Sequence, residues 1–341
     1  MLDDLKYIHQ RDAQDALGIA EKQPAQLEYQ FDLPKLDGEF SNIVYAGMGG
    51  SALAALLMKT WPGCKLPFEL TRDYDIPSYV SDKTLFIASS YSGNTEETLS
   101  ALAEAEAKGA QIVVIAGGGK LVEIAQQKNH PCLVLPKVGQ PRYAVLYSLK
   151  ALVSVLVAAG AAEKTVLEEA TKASVFLKES LGAWLPTVPS NENTAKKLAL
   201  ELAGKSVVIY AGPLLAPAAY KWKISFNENA KNIAWWNQLS ELNHNEISGW
   251  ISHPVQKPYG VAELQSSLDH PRIARRYEVM NQMLSGKMPA PEIVSAKGDT
   301  KLEQLLWSVM FGDFVSIYLA LVNNVDPSPV DLQENFKKNL G

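Results

Sequence analysis

Thr84-Leu85-Phe86-Ile87-Ala88-Ser89, then Ser90-Tyr91-Ser92-Gly93-Asn94-Thr95, then Glu96–Lys108 is the stretch on which the fold turns. The apolar, β-rich run reads as a strand, the polar run with its glycine as a turn, and the last segment as a helix ending at Gly109. The same order recurs on both sides. Ser41–Ala46 is a strand closing on Gly47-Met48-Gly49-Gly50-Ser51 before a helical Ala52–Thr60, and Gln111–Ala116 precedes a turn at Gly117–Gly119 and a helix near Leu121–Gln127. Cys132–Leu135 reads as a further strand. Alternation of this kind requires a parallel sheet with helices on both faces.

Two long helices follow, Pro141–Ala159 and Ala162–Glu179, and a Pro-rich passage from Leu185 to Asn193 reads as a linker. Beyond it come a helix at Thr194–Ala203, a strand at Ser206–Ala211, a turn at Gly212-Pro213 and a helix from about Ala216 to Ala230. Lys231–Trp236, Trp250–Val255 and Pro291–Ser295 are further candidate strands, with helices near Ile273–Ser285 and at Leu302–Val322 and a polar tail after Pro329. The expected fold class is α/β, two doubly wound domains with mainly parallel sheets flanked by helices. The expected division is a helical segment 1–33, holding one helix and a loop, a first domain 34–185 and a second domain 194–341. A length of 341 residues agrees with two domains of roughly 150 residues each.

Composition narrows the function. With 32 basic and 37 acidic side chains and a net charge of -5, the chain repels a phosphate backbone over most of its surface, which argues against nucleic-acid binding. An anionic ligand must be met by a local site. Cys64 and Cys132 stand far apart and near no second ligand, so no zinc site, redox motif or disulfide framework is read and a reducing cytoplasm is expected. The charged start shows no signal peptide. The apolar stretches Ala144–Ala162 and Leu305–Val322 contain Lys150 and Asp313, and both read as buried helices with no membrane role.

The turn Ser90–Thr95 carries the strongest chemical signal. Hydroxyls and free amides at a helix start suit a phosphate. Simple capping, with Asn94 as N-cap and Glu97 completing a capping box, needs one such residue, and Ser90, Ser92 and Thr95 exceed that need. Gly49, Gly50 and Ser51 have the same logic, because small residues let a ligand approach the backbone. The spacing lacks a dinucleotide fingerprint and the lysine of a P-loop.

The turn Ser90–Thr95 with Ala46–Ser51 one unit earlier resembles the sugar isomerase (SIS) domain, whose turn hydroxyls hold a sugar phosphate. Pro141-Arg142, Phe226-Asn227-Glu228-Asn229-Ala230-Lys231 and Glu241-Leu242-Asn243-His244-Asn245-Glu246-Ile247 resemble the bifunctional phosphoglucose/phosphomannose isomerase family, a twin-SIS group. The resemblance runs from the first SIS strand to the tail. It implies interconversion of glucose 6-phosphate or mannose 6-phosphate with fructose 6-phosphate, by ring opening and enediol proton transfer, without a cofactor or a metal. Gly49, Gly50, Ser51, Ser90, Ser92 and Thr95 are then the phosphate site. Glu228 is the base that moves a proton between C2 and C1, since one carboxylate can take it up and return it. Ring opening needs a donor and acceptor working near neutral pH, the natural range of imidazole as a class; His244 opens the ring with Lys337, and Arg142 stabilises the enediolate as a planar cation. The resemblance also implies a homodimer in which His244 reaches the partner's site. His9, His130, His253 and His270 read as surface or hydrogen-bonded residues, and Trp235-Trp236 as core or dimer contact. Two other readings stay open: a SIS sensor that binds a sugar phosphate without turning it over, and another SIS isomerase of the glucosamine 6-phosphate type.

Overall fold

Tyr45 and Ile87 lie side by side on neighbouring parallel strands, fully buried, and the first sheet is built around that pair. The computed structural model describes residues 1–32, 34–36, 38–252 and 258–340. They form two compact units, Lys22–Phe176 and Met1–Glu21 with Leu177–Gly341.

In chain order the elements begin with α1 (Leu5–Arg11) and α2 (Ala16–Lys22), followed by β1 (Asn42–Ala46), α3 (Gly49–Thr60), β2 (Phe68–Thr71), β3 (Thr84–Ser90) and α4 (Glu96–Ala107). Next come β4 (Gln111–Ala116), α5 (Gly119–Lys128), β5 (Cys132–Val134), α6 (Val145–Ala158) and α7 (Thr165–Leu181). Sheet order in the unit Lys22–Phe176 is β2-β1-β3-β4-β5, all parallel. β3 is buried at every position, as expected for a central strand covered on both faces. One face packs Val44, Phe86, Val114 and Leu102 into a common core, each large apolar side chain contributing about 1.5–3 kcal/mol.

The unit of Met1–Glu21 with Leu177–Gly341 adds α8 (Thr194–Leu202), β6 (Ser206–Ala211), α9 (Ala216–Glu228), β7 (Ala234–Gln238) and β8 (Tyr259–Gln265). It ends with α10 (Pro271–Met283), β9 (Glu292–Ser295), α11 (Lys301–Val322) and α12 (Asp331–Leu340). Its parallel sheet runs β7-β6-β8-β9. α11 has 22 residues and contains an 18-residue stretch apolar enough to span a membrane, but 94% of that stretch is buried inside the protein. Gly312 brings α9 against it, since a Cβ there would lie 2.1 Å from Trp222 Nε1. Trp222 Nε1 donates instead to the Ser308 carbonyl at 2.7 Å. The expected acid in this helix, Asp313, is fully buried and ion-paired with Lys221. Lys150 in α6 is likewise buried and donates to the Leu167 carbonyl at 3.3 Å.

The doubly wound α/β reading holds, with local corrections. The segment 1–33 is not one helix and a loop: it holds α1, α2 and a 3-10 turn at Gln23–Glu28. Pro141–Ala159 is not one helix. Pro141–Tyr143 forms a 3-10 turn and α6 starts at Val145, because buried Gln26 accepts from Tyr147 N and donates to the Tyr143 carbonyl. The strand expected from Lys231 starts at Ala234, since Lys231 has φ of 51° and turns the chain. Residues Glu246–Ile251 form a 3-10 helix where a strand from Trp250 was expected, and positions 253–257, with His253, lie outside the described residues. The neighbouring strand is β8. β2 escaped the sequence reading, because Phe68-Glu69-Leu70-Thr71 is too short to show a period. The polar tail is a helix, α12.

Candidate active site

The strand order 2-1-3-4-5 reverses direction between β1 and β3, and in open α/β sheets ligands bind at the carboxyl ends of the strands at such a point. The turn after β1 and the turn after β3 meet there. Tyr91 N–H donates to Ser51 Oγ at 3.1 Å. Ser90 is 2% exposed, and its hydroxyl shares bonds with Thr95 Oγ1 at 2.7 Å and Ser92 Oγ at 3.3 Å. It also accepts from Gly93 N–H at 3.1 Å. The hydroxyls therefore form one connected group at the start of α4. The capping reading is corrected: Thr95 occupies the N-cap position without a side-chain cap bond, and Asn94 Oδ1 accepts from Lys120 N–H at 3.0 Å.

Glycines make this closeness possible. Gly93 has φ of 70°, and a Cβ there would lie 1.7 Å from the Gly118 carbonyl oxygen, so the turn tolerates no side chain. Gly49 has φ of 50° and opens α3. A Cβ on Gly50 would sit 3.2 Å from the Pro141 carbonyl oxygen, so the Pro141–Tyr143 turn lies over the glycines. Arg142, on that turn, is not a surface arginine: it is 1% exposed, with its guanidinium 5.0 Å from the Tyr143 ring centroid. Gly49, Gly50, Ser51, Ser90, Ser92, Thr95 and Arg142 thus come together in one unit. Gln26 buttresses them from a segment to which no role was assigned.

Glu228, His244 and Lys337 lie in the other unit, on three separate elements. Glu228 is the last residue of α9 and is half-buried. His244 is exposed at the end of a 3-10 turn, Glu241–His244, that follows β7. Lys337 is exposed on α12, facing Glu334 at 3.5 Å, on a helix that also exposes Leu332, Phe336 and Leu340. Of the remaining histidines, His130 Nε2 bonds Glu106 Oε1 at 2.7 Å, His270 Nδ1 accepts from Arg272 N–H, and His9 is exposed. Trp235 is 50% exposed and so is not core, whereas Trp236 packs on Tyr220. Cys64 and Cys132 are free thiols.

The β6/β8 crossover is the corresponding point of the second sheet, and it is filled. Asp269 Oδ1 accepts from Leu214 N–H at 3.2 Å, and a Cβ on Gly212 would lie 2.1 Å from Asp269 Oδ2. Burial pushes the Asp269 carboxyl up, and the Leu214 N–H that an anion would use is already taken. A separate concavity of about 400 Å³ is lined mainly by apolar side chains such as Ile247, Val279 and Met283, with the cations Arg272, Arg275, Arg276 and Lys287 among them. Two of these cations are already engaged, Arg275 with Glu278 and Arg276 with Asn243, and none comes from a strand end. Among the described residues no cluster of three or more His, Cys, Asp or Glu is arranged to hold a metal ion.

Comparison with known proteins agrees with this fold. The SIS domain family matches residues 39–162, and the bacterial phospho-glucose isomerase C-terminal SIS domain family matches residues 191–340. A glucose-6-phosphate isomerase like protein from Thermus thermophilus shares the fold with a TM-score of 0.65 at 18% identity, over 99% of this chain and 98% of that one. The protein is therefore an α/β protein of two SIS domains. The bifunctional phosphoglucose/phosphomannose isomerase of Caldicellulosiruptor bescii is 37% identical over 308 residues, 89% of this chain and 90% of the relative. The chain belongs to the bifunctional phosphoglucose/phosphomannose isomerase family. The D-glucosamine-6-phosphate 4-epimerase of Sulfolobus acidocaldarius is 34% identical over 211 residues, 62% of this chain and 64% of the relative.

Proposed function

We propose that the protein interconverts glucose 6-phosphate and mannose 6-phosphate with fructose 6-phosphate as a cytoplasmic homodimer without cofactor or metal, its SIS domains spanning 34–185 and 194–341. The observation that carries the phosphate end of this reading is the connected hydroxyl group Ser90–Ser92–Thr95 at the β1/β3 crossover. There the phosphate oxygens accept from hydroxyls and from amides at the start of α4. Ser51, Gly49 and Gly50 supply the opposite wall. No bulk positive charge is required, so the net charge of -5 is no obstacle.

His244, reaching the partner's site, and Lys337 open the ring by moving a proton from the C1 hydroxyl to the ring oxygen. Glu228 then takes the proton from C2 of the open aldose and returns it to C1, while a proton passes between the two oxygens and the C=O moves from C1 to C2. Negative charge develops on the enediolate oxygens. Arg142, a buried planar guanidinium, is the group suited to stabilise it. Mannose 6-phosphate reaches the same enediol from the opposite C2 configuration.

The test follows fructose 6-phosphate with coupled detection of both aldose products. Formation of both is expected. Failure to form either, with a sugar phosphate still raising thermal stability, would replace this reading with the sensor. The epimerase relative makes a third product informative: a change at C4 seen by NMR, with C2 untouched, would move the chemistry to that class. Glu228→Gln is expected to abolish exchange of the C2 proton with solvent.

A further inference from the structure

Lys231 sits three residues beyond Glu228 in the left-handed region, at φ of 51°. The other described non-glycine residues with positive φ are Asp15, Asn129 and Asn324, types whose short polar side chains tolerate that conformation. A lysine there is unusual, because the residue that turns the chain out of a helix is ordinarily glycine or asparagine. Its ammonium explains the choice. Lys231 Nζ folds back and donates to the Glu228 carbonyl at 3.0 Å and the Asn229 carbonyl at 3.4 Å, and reaches the Asp326 carbonyl beyond α11 at 2.6 Å. Asn323 Nδ2 donates to the Ala230 carbonyl at 3.1 Å, which ties the same turn to the end of α11.

We propose that Lys231 is a positioning residue for Glu228, gathering the last carbonyls of α9 and the Asp326 carbonyl around one ammonium and so fixing where the Glu228 carboxylate stands. The inference rests on Glu228 being the base. Its physical basis is twofold. The last carbonyls of a helix carry partial negative charge, which disfavours an ionised carboxylate beside them, and a cation bound to those carbonyls offsets it. The three contacts also remove freedom from the turn that carries Glu228, and a base must lie within hydrogen-bond reach of the proton it takes. Strained backbone kept in place by specific contacts is a recurrent mark of functional sites.

The experiment separates this role from a structural one. Lys231→Gly relieves the left-handed strain while deleting the ammonium, so its melting temperature is expected to equal or exceed that of the wild type. Its kcat for fructose 6-phosphate is expected to fall by about tenfold or more, with KM held within about twofold, as for an interaction used only in the transition state. Lys231→Arg, which keeps a cation able to reach carbonyls, is expected to recover most of that loss. Wild-type kcat in Lys231→Gly would overturn the proposal, and so would a parallel fall in melting temperature and kcat that arginine does not rescue. Glu228→Gln, measured alongside, tells the two levels apart. If it stays active, the base assignment fails and takes the proposal with it. If it is inactive while Lys231→Gly keeps the wild-type kcat, only the proposal fails.

Discussion

Ser90→Ala is the most informative single change in the proposed phosphate site. The hydroxyl removed is 2% exposed and makes contacts at 2.7, 3.1 and 3.3 Å to Thr95, Gly93 and Ser92. Gly93 N–H is not orphaned by its loss, because the same amide also donates to the Ser90 carbonyl at 3.0 Å. Thr95 can rotate toward solvent. The stability cost is therefore that of one net hydrogen bond, about 1 kcal/mol, which in a domain of this size lowers the melting temperature by about 2–4 °C. Binding suffers more, because a hydrogen bond to a charged group is worth about 1.5–3 kcal/mol. That predicts a fall in kcat/KM for fructose 6-phosphate of about 10- to 150-fold, measured by steady-state kinetics beside thermal melts. Thr95→Val is expected to behave alike, and the double variant to lose less than the sum, since the two residues share the 2.7 Å contact. A Ser90→Ala protein that melts lower yet keeps wild-type kcat/KM would refute the reasoning: the cluster would then be structural only.

Three further outcomes follow from packing and burial. Gly93→Ala forces a Cβ to within 1.7 Å of the Gly118 carbonyl oxygen at φ of 70°, so the turn must reopen; inorganic phosphate is expected to lose its stabilising effect on melting, by scanning calorimetry. Lys221→Met removes the cation from the fully buried Asp313 carboxyl and is expected to cost about 3–5 kcal/mol in urea denaturation, whereas Lys221→Met with Asp313→Leu recovers most of the loss. Glu263 is fully buried on β8, with Oε2 accepting from Gln265 and Asn281, and burial holds its carboxyl above the usual range. The native state then binds that proton where the unfolded chain, titrating near ~4.3, does not. Stability from this group is complete below the unfolded value and lost as pH rises through the native one. Glu263→Gln is expected to flatten that slope in melts taken across the acidic range.

The repeating strand, turn and helix units were legible because their signals are local. An apolar run, a glycine at the bend and a helix former in sequence are enough to place β1, β3, β4 and β6 within a residue or so, and the hydroxyl turn Ser90–Thr95 stood out as a candidate phosphate site by composition alone. Short or irregular pieces were not legible. β2 has 4 residues, too few for alternation to register, and the break at Ala144 depends on Gln26, 117 residues from the Tyr143 carbonyl it holds.

By itself, then, the amino-acid sequence determined the α/β class, the two doubly wound sheets and the identity of the candidate residues, because propensity, turn chemistry and motif spacing act over a few positions. Tertiary structure decided how the two crossovers differ. Gly212 and Leu214 gave no hint that Asp269, reaching Leu214 N–H from 55 residues away, fills the second one. It also buried Arg142, exposed His244, and bound Lys231 to a carbonyl 95 residues distant. These outcomes depend on which surfaces meet when the chain closes, and no local pattern of residues encodes them.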